Sequence, residues 1–403
     1  MLKTRKRWII LIGIIIASVI AGYFFLSHDQ QRLLAEEGGT FQDEFDTYLD
    51  QRRYELDASA DEDADPFGED QIVRILLIGL DSRIGVDAGH CDAIQMLEIN
   101  KARDWVTLTA VPRGTYSPLP RGYYGQEGDY YVSNACAIGG LEYGVTQIER
   151  IIGKKADYVA TIGFSGLLGL LRQLDLPTTD TLRWLRHRQG YGIGEPQRAH
   201  NHSTFIKQML TKFTPDEHSR LDIPFHYLVF QLLKTDMNFS EAREISKALT
   251  EMSIHEEGNK ISLFMRPEFE VRDISYDPES VSEYLDTLLG PIAHLLNNQD
   301  YSDVSTEELQ YNLLALIESE KENKEFLIWA YENRLWYQVE SKEERLEIQY
   351  ELILAYQQTI EDLDARKEII DAYLIEMDYL GEDDYKELAL KSFGDTDELF
   401  SLE

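Results

Sequence analysis

The chain has 403 residues, 43% of them apolar, enough for one large domain with a sizeable core and a smaller one beside it. Its net charge of −34 excludes a nucleic-acid-binding role, because phosphate contacts need a basic face. The two cysteines, Cys91 and Cys136, show no CxxC or metal-ligand spacing and read as buried small residues in preference to a disulfide.

Lys3, Arg5, Lys6 and Arg7 precede an uncharged apolar run, Trp8 to Leu26. At ~1.5 Å per residue that run is roughly 28 Å long, the thickness of a bilayer's hydrocarbon core. Basic side chains before it and Asp29, Glu36 and Glu37 after it place the bulk of the chain outside the cytoplasm. The run is longer than the apolar core of a typical signal peptide, and no small-x-small cleavage site follows. An uncleaved single-pass anchor in the cell membrane is therefore expected, with the N-terminus cytoplasmic. Residues 27–70 read as an acidic stalk. Phe41, Phe45, Tyr48, Leu49 and Tyr54 recur there at near-helical spacing, and ASADEDADPFGED has the composition of a solvated tether.

From Ile72 the pattern changes. Ile72–Leu80 is a nearly continuous apolar run of strand length, as in strands buried on both faces. Ile94–Ile99 and Trp105–Val111 are two further strands joined by the turn NKARD. A Gly/Tyr-rich loop, Arg121–Tyr131, leads to a helical stretch at Gly144–Ile152. Ala156–Ile162 reads as a strand and Phe164–Leu174 as an apolar helix. More helical material is expected at Thr204–Phe213, Phe225–Leu233 and Ser240–Met252, then a late strand at Ile261–Phe264 and a closing helix at Asp277–Leu289. Alternating strands and helices predict an α/β sandwich over 71–292. Beyond 293 the chain is acidic and helical. Ser305-x-x-Glu308 and Ser341-x-x-Glu344 look like capping boxes, and Leu309, Leu313, Ile317, Leu346, Tyr350, Leu354, Ile369, Tyr373 and Met377 recur at helical spacing. A small all-α bundle is expected, able to dock a protein partner.

Charged residues gather at strand ends. Asp81 follows one strand and Asp92 opens the next, where loop carboxylates are well placed to hold Mg²⁺. Arg83 and Arg113 lie at similar positions. Arg186 and Arg188 form an R-x-R, with Arg198 close behind. The planar, always-charged fork of arginine suits a diphosphate. Cys91, beside Asp92, has no base partner in the sequence and is not expected to act as a nucleophile.

ILLIGLDSR, GHCDAIQMLEIN and VTLTAVPRGTY together resemble the signature of the LytR-CpsA-Psr (LCP) cell-envelope domain, also called the cell-envelope-related transcriptional attenuator domain. SNACAIGG is similar to a later family segment, and LRHRQGYGIGEPQRAHNHSTFI to the stretch Y-x-R-x-R…G-D-x-G-R-x-x-R-Q-Q-x-x-I. The resemblance runs from about residue 70 to 292. It implies a three-layer α-β-α sandwich behind a membrane anchor, in a Gram-positive-type envelope. It also implies a phosphotransferase that moves a glycopolymer from a polyprenyl-diphosphate carrier to peptidoglycan. Asp81 and Asp92 match the metal-binding carboxylates. Arg83, Arg113, Arg186, Arg188 and Arg198 match the residues around the diphosphate, with Asp92 and Arg113 expected to be catalytic. Several positions depart from the pattern. His90 stands in place of Arg, Ala93 of Thr, Gly114 of Asp, Tyr131 of Lys, Ser133 of Asn and Asn201 of Arg. His202 and Ser203 replace a Gln pair, and only a short segment, Pro177–Leu185, precedes the R-x-R. His90 can carry charge at mildly acidic pH. The alternative reading is a catalytically degenerate member that binds lipid diphosphate or scaffolds wall-assembly partners through its C-terminal helices.

Overall fold

The computed structural model describes residues 41–59, 65–80, 89–217, 222–295 and 306–393. Asp81, Arg83, Ser305 and the apolar run Trp8–Leu26 lie outside the described residues. Among the described residues no helix is long and apolar enough to cross a membrane.

A six-stranded mixed sheet organises the α/β part. Its strands are β1 (Ile72–Leu80), β2 (Cys91–Asn100), β3 (Trp105–Ala110), β4 (Tyr158–Ile162), β5 (Lys234–Thr235) and β6 (Ile261–Met265). They lie in the order β5-β4-β1-β2-β3-β6. The central strand β1 runs antiparallel to β2 and parallel to β4, and β3 runs parallel to β6. The apolar run of β1 is continuous because both of its faces are covered. Ile75 points into one core with Leu97, Ile99, Val106 and Leu108, and its neighbours Leu76 and Ile78 point into the other with Ile94 and Met96. Helices close both faces. α1 (Phe41–Ser59) and α2 (Val132–Ile152) cover one, and α5 (Gly194–Phe213) and α7 (Phe239–Glu251) cover the other. The α/β sandwich expected from the alternating pattern is therefore present, with helices on both faces of the sheet.

The amphipathic helix expected within the stalk is α1, and it is docked on the sheet. Leu49 is buried, Arg52 pairs with the buried Asp236, and Arg53 reaches Glu241 at 2.6 Å. α2 extends well before the predicted Gly144. Gly140 sits at φ 77°, so the helix kinks there and its first half has no continuous apolar stripe. The stretch ahead of the R-x-R forms a helix, α4 (Thr178–Arg186), that buries Trp184. It lies between α3 (Phe164–Gln173) and α5.

Cys91 and Cys136 form a disulfide, which corrects the expectation of two free buried residues. The start of β2 and the first turns of α2 bring their Cα atoms to 6.0 Å, across a sequence separation of 45. That separation hides the pairing from any local reading.

After α6 (Ile223–Phe230) and α8 (Val281–Leu289), the C-terminal part holds α9 (Thr306–Glu320), α10 (Lys324–Glu332), α11 (Lys342–Gln357), α12 (Leu363–Leu380) and α13 (Asp383–Ser392). Its apolar core runs into that of the α/β part: Leu168, Leu171, Leu182 and Trp184 share one cluster with Leu313, Leu335, Trp336, Tyr337 and Tyr373. The 3-10 turn Leu335–Gln338 seats on α3. A Cβ on Gly169 would lie 2.9 Å from the Tyr337 ring, so only glycine admits that approach. Gln338 donates to Ser165 Oγ at 2.9 Å, and Arg172 donates to the Val339 carbonyl at 3.1 Å. The predicted cap at Ser341 accepts from the Glu344 N–H at 3.4 Å.

Candidate functional site

The candidate site forms where β1 and β2 end. Along these strands the register runs evenly until Gly79 faces Ala93, then jumps so that Leu80 faces Cys91. Asp92 is therefore the extra residue of a β-bulge, a device that bends the strand and re-aims one side chain. A Cβ on Gly79 would meet the Ala93 Cβ at 2.9 Å, so the small pair Gly79 and Ala93 lets the strands close just before the bulge. The disulfide at Cys91 fixes the backbone one residue away.

Arg113 comes from the turn after β3. Val111 still bonds to the Ile94 carbonyl, the Thr115 N–H donates to Pro112, and the Arg113 carbonyl accepts from Ser133 on α2. Arg113 Nη1 donates to Asp92 Oδ1 at 2.7 Å. From the other side, the first turns of α5 bring Glu195 and Arg198, and the loop after α4 brings Arg188. Glu195 Oε1 accepts from Arg188 Nη1 at 2.7 Å and lies 3.5 Å from Arg113 Nε, while Oε2 lies 2.9 Å from Arg198 Nη2. Arg198 is almost fully buried and also reaches the Asp92 carbonyl at 3.4 Å. Among the described residues, three guanidinium groups thus surround two carboxylates, leaving an excess of positive charge. Burial works against ionisation of Glu195, but Arg198, Arg188 and Arg113 hold its carboxyl below the usual range.

Of the residues expected here, the structure brings together Asp92, Arg113, Arg188 and Arg198. Arg186, at the end of α4, sets its guanidinium carbon 5.9 Å from the Phe164 ring. Asp81 and Arg83 fall outside the described residues, and the metal-site expectation rests there on Asp92 alone. Among the described residues no group of three or more His, Cys, Asp or Glu side chains converges on one point. A single carboxylate at a strand end suits Mg²⁺, which often binds through one or two carboxylates together with substrate phosphates.

Sequence reasoning missed Glu195, which sits at the acidic position of the G-D-x-G-R pattern. His202 lies beneath the cluster. Its Nε2 bonds to the Leu185 carbonyl at 2.7 Å, and its Nδ1 is buried without a partner. Burial, then the nearby Arg198, push its pKa down to about 4, so it is neutral near pH 7.

Fold and cluster together define a mixed-sheet α/β sandwich with an anion-attracting arginine site at its strand ends. The model of the LytR_cpsA_psr family matches residues 43–175 of this chain, a stretch that includes Asp92 and Arg113. A polyisoprenyl-teichoic acid–peptidoglycan teichoic acid transferase, TagU, of Halalkalibacterium halodurans is 27% identical over 172 residues, 42% of this chain and 52% of that protein. The TagU of Bacillus mycoides is 27% identical over 94 residues, 23% of this chain and 29% of that protein. The chain thus spans about half the length, or less, of these relatives. The crystal structure of B. subtilis TagV superposes with a TM-score of 0.41 and 12% identity, over 55% of this chain and 97% of that one.

Proposed function

We propose that this chain is a membrane-anchored, extracytoplasmic protein of cell-envelope biogenesis that transfers a glycopolymer from a polyprenyl-diphosphate carrier to peptidoglycan. The observation that carries this reading is the cluster of Arg113, Arg188 and Arg198 around a bulge-presented Asp92. Polymer transfer to peptidoglycan is also what the names of the TagU relatives describe. The disulfide fits an oxidising compartment outside the cytoplasm. Trp8–Leu26 would be the anchor.

In this reading an acceptor hydroxyl of peptidoglycan attacks the phosphorus that bears the sugar. A new P–O bond forms, the bridging P–O bond breaks, and polyprenyl phosphate leaves. The arginines neutralise the charge that grows on the leaving phosphate, and Asp92 takes the hydroxyl proton. Arg83 and Arg186 would extend the diphosphate contacts. Mg²⁺, held by Asp92 with Asp81, would add Lewis-acid stabilisation of the same charge. The test is the full chain in detergent with Mg²⁺, a polyprenyl-diphosphate-linked polymer and peptidoglycan. Polyprenyl phosphate should be released, and Arg113→Ala should slow release by about 10²–10³-fold. No release from folded wild type would sink the enzyme reading.

A second reading keeps the binding and drops the chemistry. It is favoured by Glu195, which already engages all three arginines, and by the uncharged side chains at Ala93, Gly114 and Asn201. A protein partner would then meet the C-terminal helices, where Tyr311, Leu363 and Leu390 are exposed. Gly114→Asp separates the two readings. A Cβ there meets nothing within 4 Å, so the position has open space for a side chain. A gain of release in this variant over an inactive wild type would support the degenerate reading, and an already active wild type would end it.

A further inference from the structure

The loop between Arg113 and α2 carries four tyrosines whose rings face solvent: Tyr116 (65% exposed), Tyr123 (58%), Tyr124 (96%) and Tyr131 (43%). Tyr116 and Tyr131 are partners in an antiparallel bridge, and Tyr123 and Tyr124 lie on the same loop; exposed rings on one loop can mark a binding site. This loop is also braced. The Ser117 N–H donates to the Tyr130 carbonyl at 2.9 Å and the Val132 N–H to Thr115 at 2.8 Å, which pairs Tyr116 with Tyr131 in an antiparallel bridge. The Tyr143 hydroxyl donates to the Pro118 carbonyl at 2.9 Å, and Asn134 Nδ2 to Gly128 at 2.7 Å. The Tyr116 and Tyr130 rings lie parallel, 4° apart in tilt with centroids at 6.3 Å. A stiff frame therefore holds the Tyr116 and Tyr131 end of the loop in place before any ligand arrives, which lowers the ordering cost of binding.

We propose that this tyrosine platform binds the pyranose rings of a glycan chain. The proposal rests on the reading of the neighbouring arginine cluster as a sugar-phosphate site. Tyr116 is three residues from Arg113, so their Cα atoms are at most about 10 Å apart. A chain whose phosphate lies on the arginines can therefore reach the tyrosines with its next sugar rings. The chemistry of the surface fits a sugar. Flat aromatic faces take the C–H faces of a pyranose, and the phenol hydroxyls, Gln126 and the exposed backbone around Gly122 and Gly125 can meet its hydroxyls. An anionic bilayer fits less well, because the loop's Arg121 is offset by the acidic Asp129.

The test uses the full chain in detergent with three probes: a neutral tetramer of β-linked N-acetylglucosamine, inorganic pyrophosphate, and phosphatidylglycerol vesicles. Saturation-transfer NMR and calorimetry should show the tetramer binding, with tyrosine-ring contacts. Tyr116→Ala and Tyr124→Ala should each weaken it by about threefold to tenfold, the range for one aromatic stacking contact, while Tyr124→Phe keeps most of it. Pyrophosphate affinity should stay unchanged in these variants, which also shows that they fold. If pyrophosphate binds and the tetramer does not, the platform proposal fails and the arginine site stands. If the tetramer binds and pyrophosphate does not, the platform stands and the sugar-phosphate reading fails. Tyrosine-dependent binding of the vesicles in place of the tetramer would overturn the proposal in favour of a membrane contact.

Discussion

Two glutamates in this molecule sit near arginines and are pushed in opposite directions. Glu195, at the open end of the sheet, is held below the usual carboxylate range by three arginines despite its partial burial. Glu376, in the seam between α12, α11 and the Leu335–Gln338 turn, is raised foremost by burial. It accepts from the Tyr337 hydroxyl and from Gln349, both at 2.7 Å, and the nearby Arg334 stacks over Tyr331 and Trp336. The first carboxylate lies where a charged ligand can reach it and where positive charge is in surplus. The second is sealed inside a shared apolar core. Similar residue types thus make a site in one place and a fastening in the other, and exposure together with the charge balance decides which.

The comparison predicts that damage to the seam unfolds the protein without touching ligand affinity. Trp336→Ala removes one of the largest fully buried side chains and should cost about 3–5 kcal/mol, read by chemical denaturation. Pyrophosphate affinity measured in the remaining folded fraction should not change. The disulfide belongs to the other region. Replacing Cys91 and Cys136 by Ser opens a loop of 45 residues and should cost about 4 kcal/mol on the chain-entropy account. Because Cys91 adjoins Asp92, this variant should also weaken ligand binding, which Trp336→Ala should not.

The pH dependence sharpens the contrast further. Glu376 binds its proton more tightly in the folded state, so its contribution to stability is present at low pH. That contribution is lost as pH rises above the ordinary carboxylate range. Glu376→Gln should flatten this slope in a thermal-melt series. His202 acts in the opposite sense. Its pKa falls from 6.5 in the unfolded chain to about 4, so stability is full above 6.5 and is lost as pH falls through that window. His202→Gln should remove this acid limb and leave the Glu376 slope intact.

Much of the fold was legible because β1 is buried on both faces, which forces a nearly continuous apolar run. The arginines of the site were legible because basic residues at strand ends stand out in so acidic a chain. Glu195 was not, since one more acid among 73 carries no signal of its own. The bulge that presents Asp92 depends on a register shift that no pattern in β2 announces. The helical spacing of Leu346 and Ile369 showed amphipathic helices, but an apolar stripe looks the same whether it faces its own bundle or a neighbouring helix. The union of the C-terminal helices with α3 and α4 through Gly169 and Tyr337 therefore stayed hidden.

The central claim is that surplus positive charge on Arg113, Arg188 and Arg198 makes the end of the sheet an anion site. Calorimetric titration of the full chain with inorganic pyrophosphate at fixed salt tests it most directly. The account predicts saturable binding, weakened at least about tenfold by Arg188→Ala, the loss of one charge-assisted contact, and tightened by Glu195→Gln, which removes the competing carboxylate. Absence of binding by the folded wild type, or equal affinity in all three proteins, would contradict it.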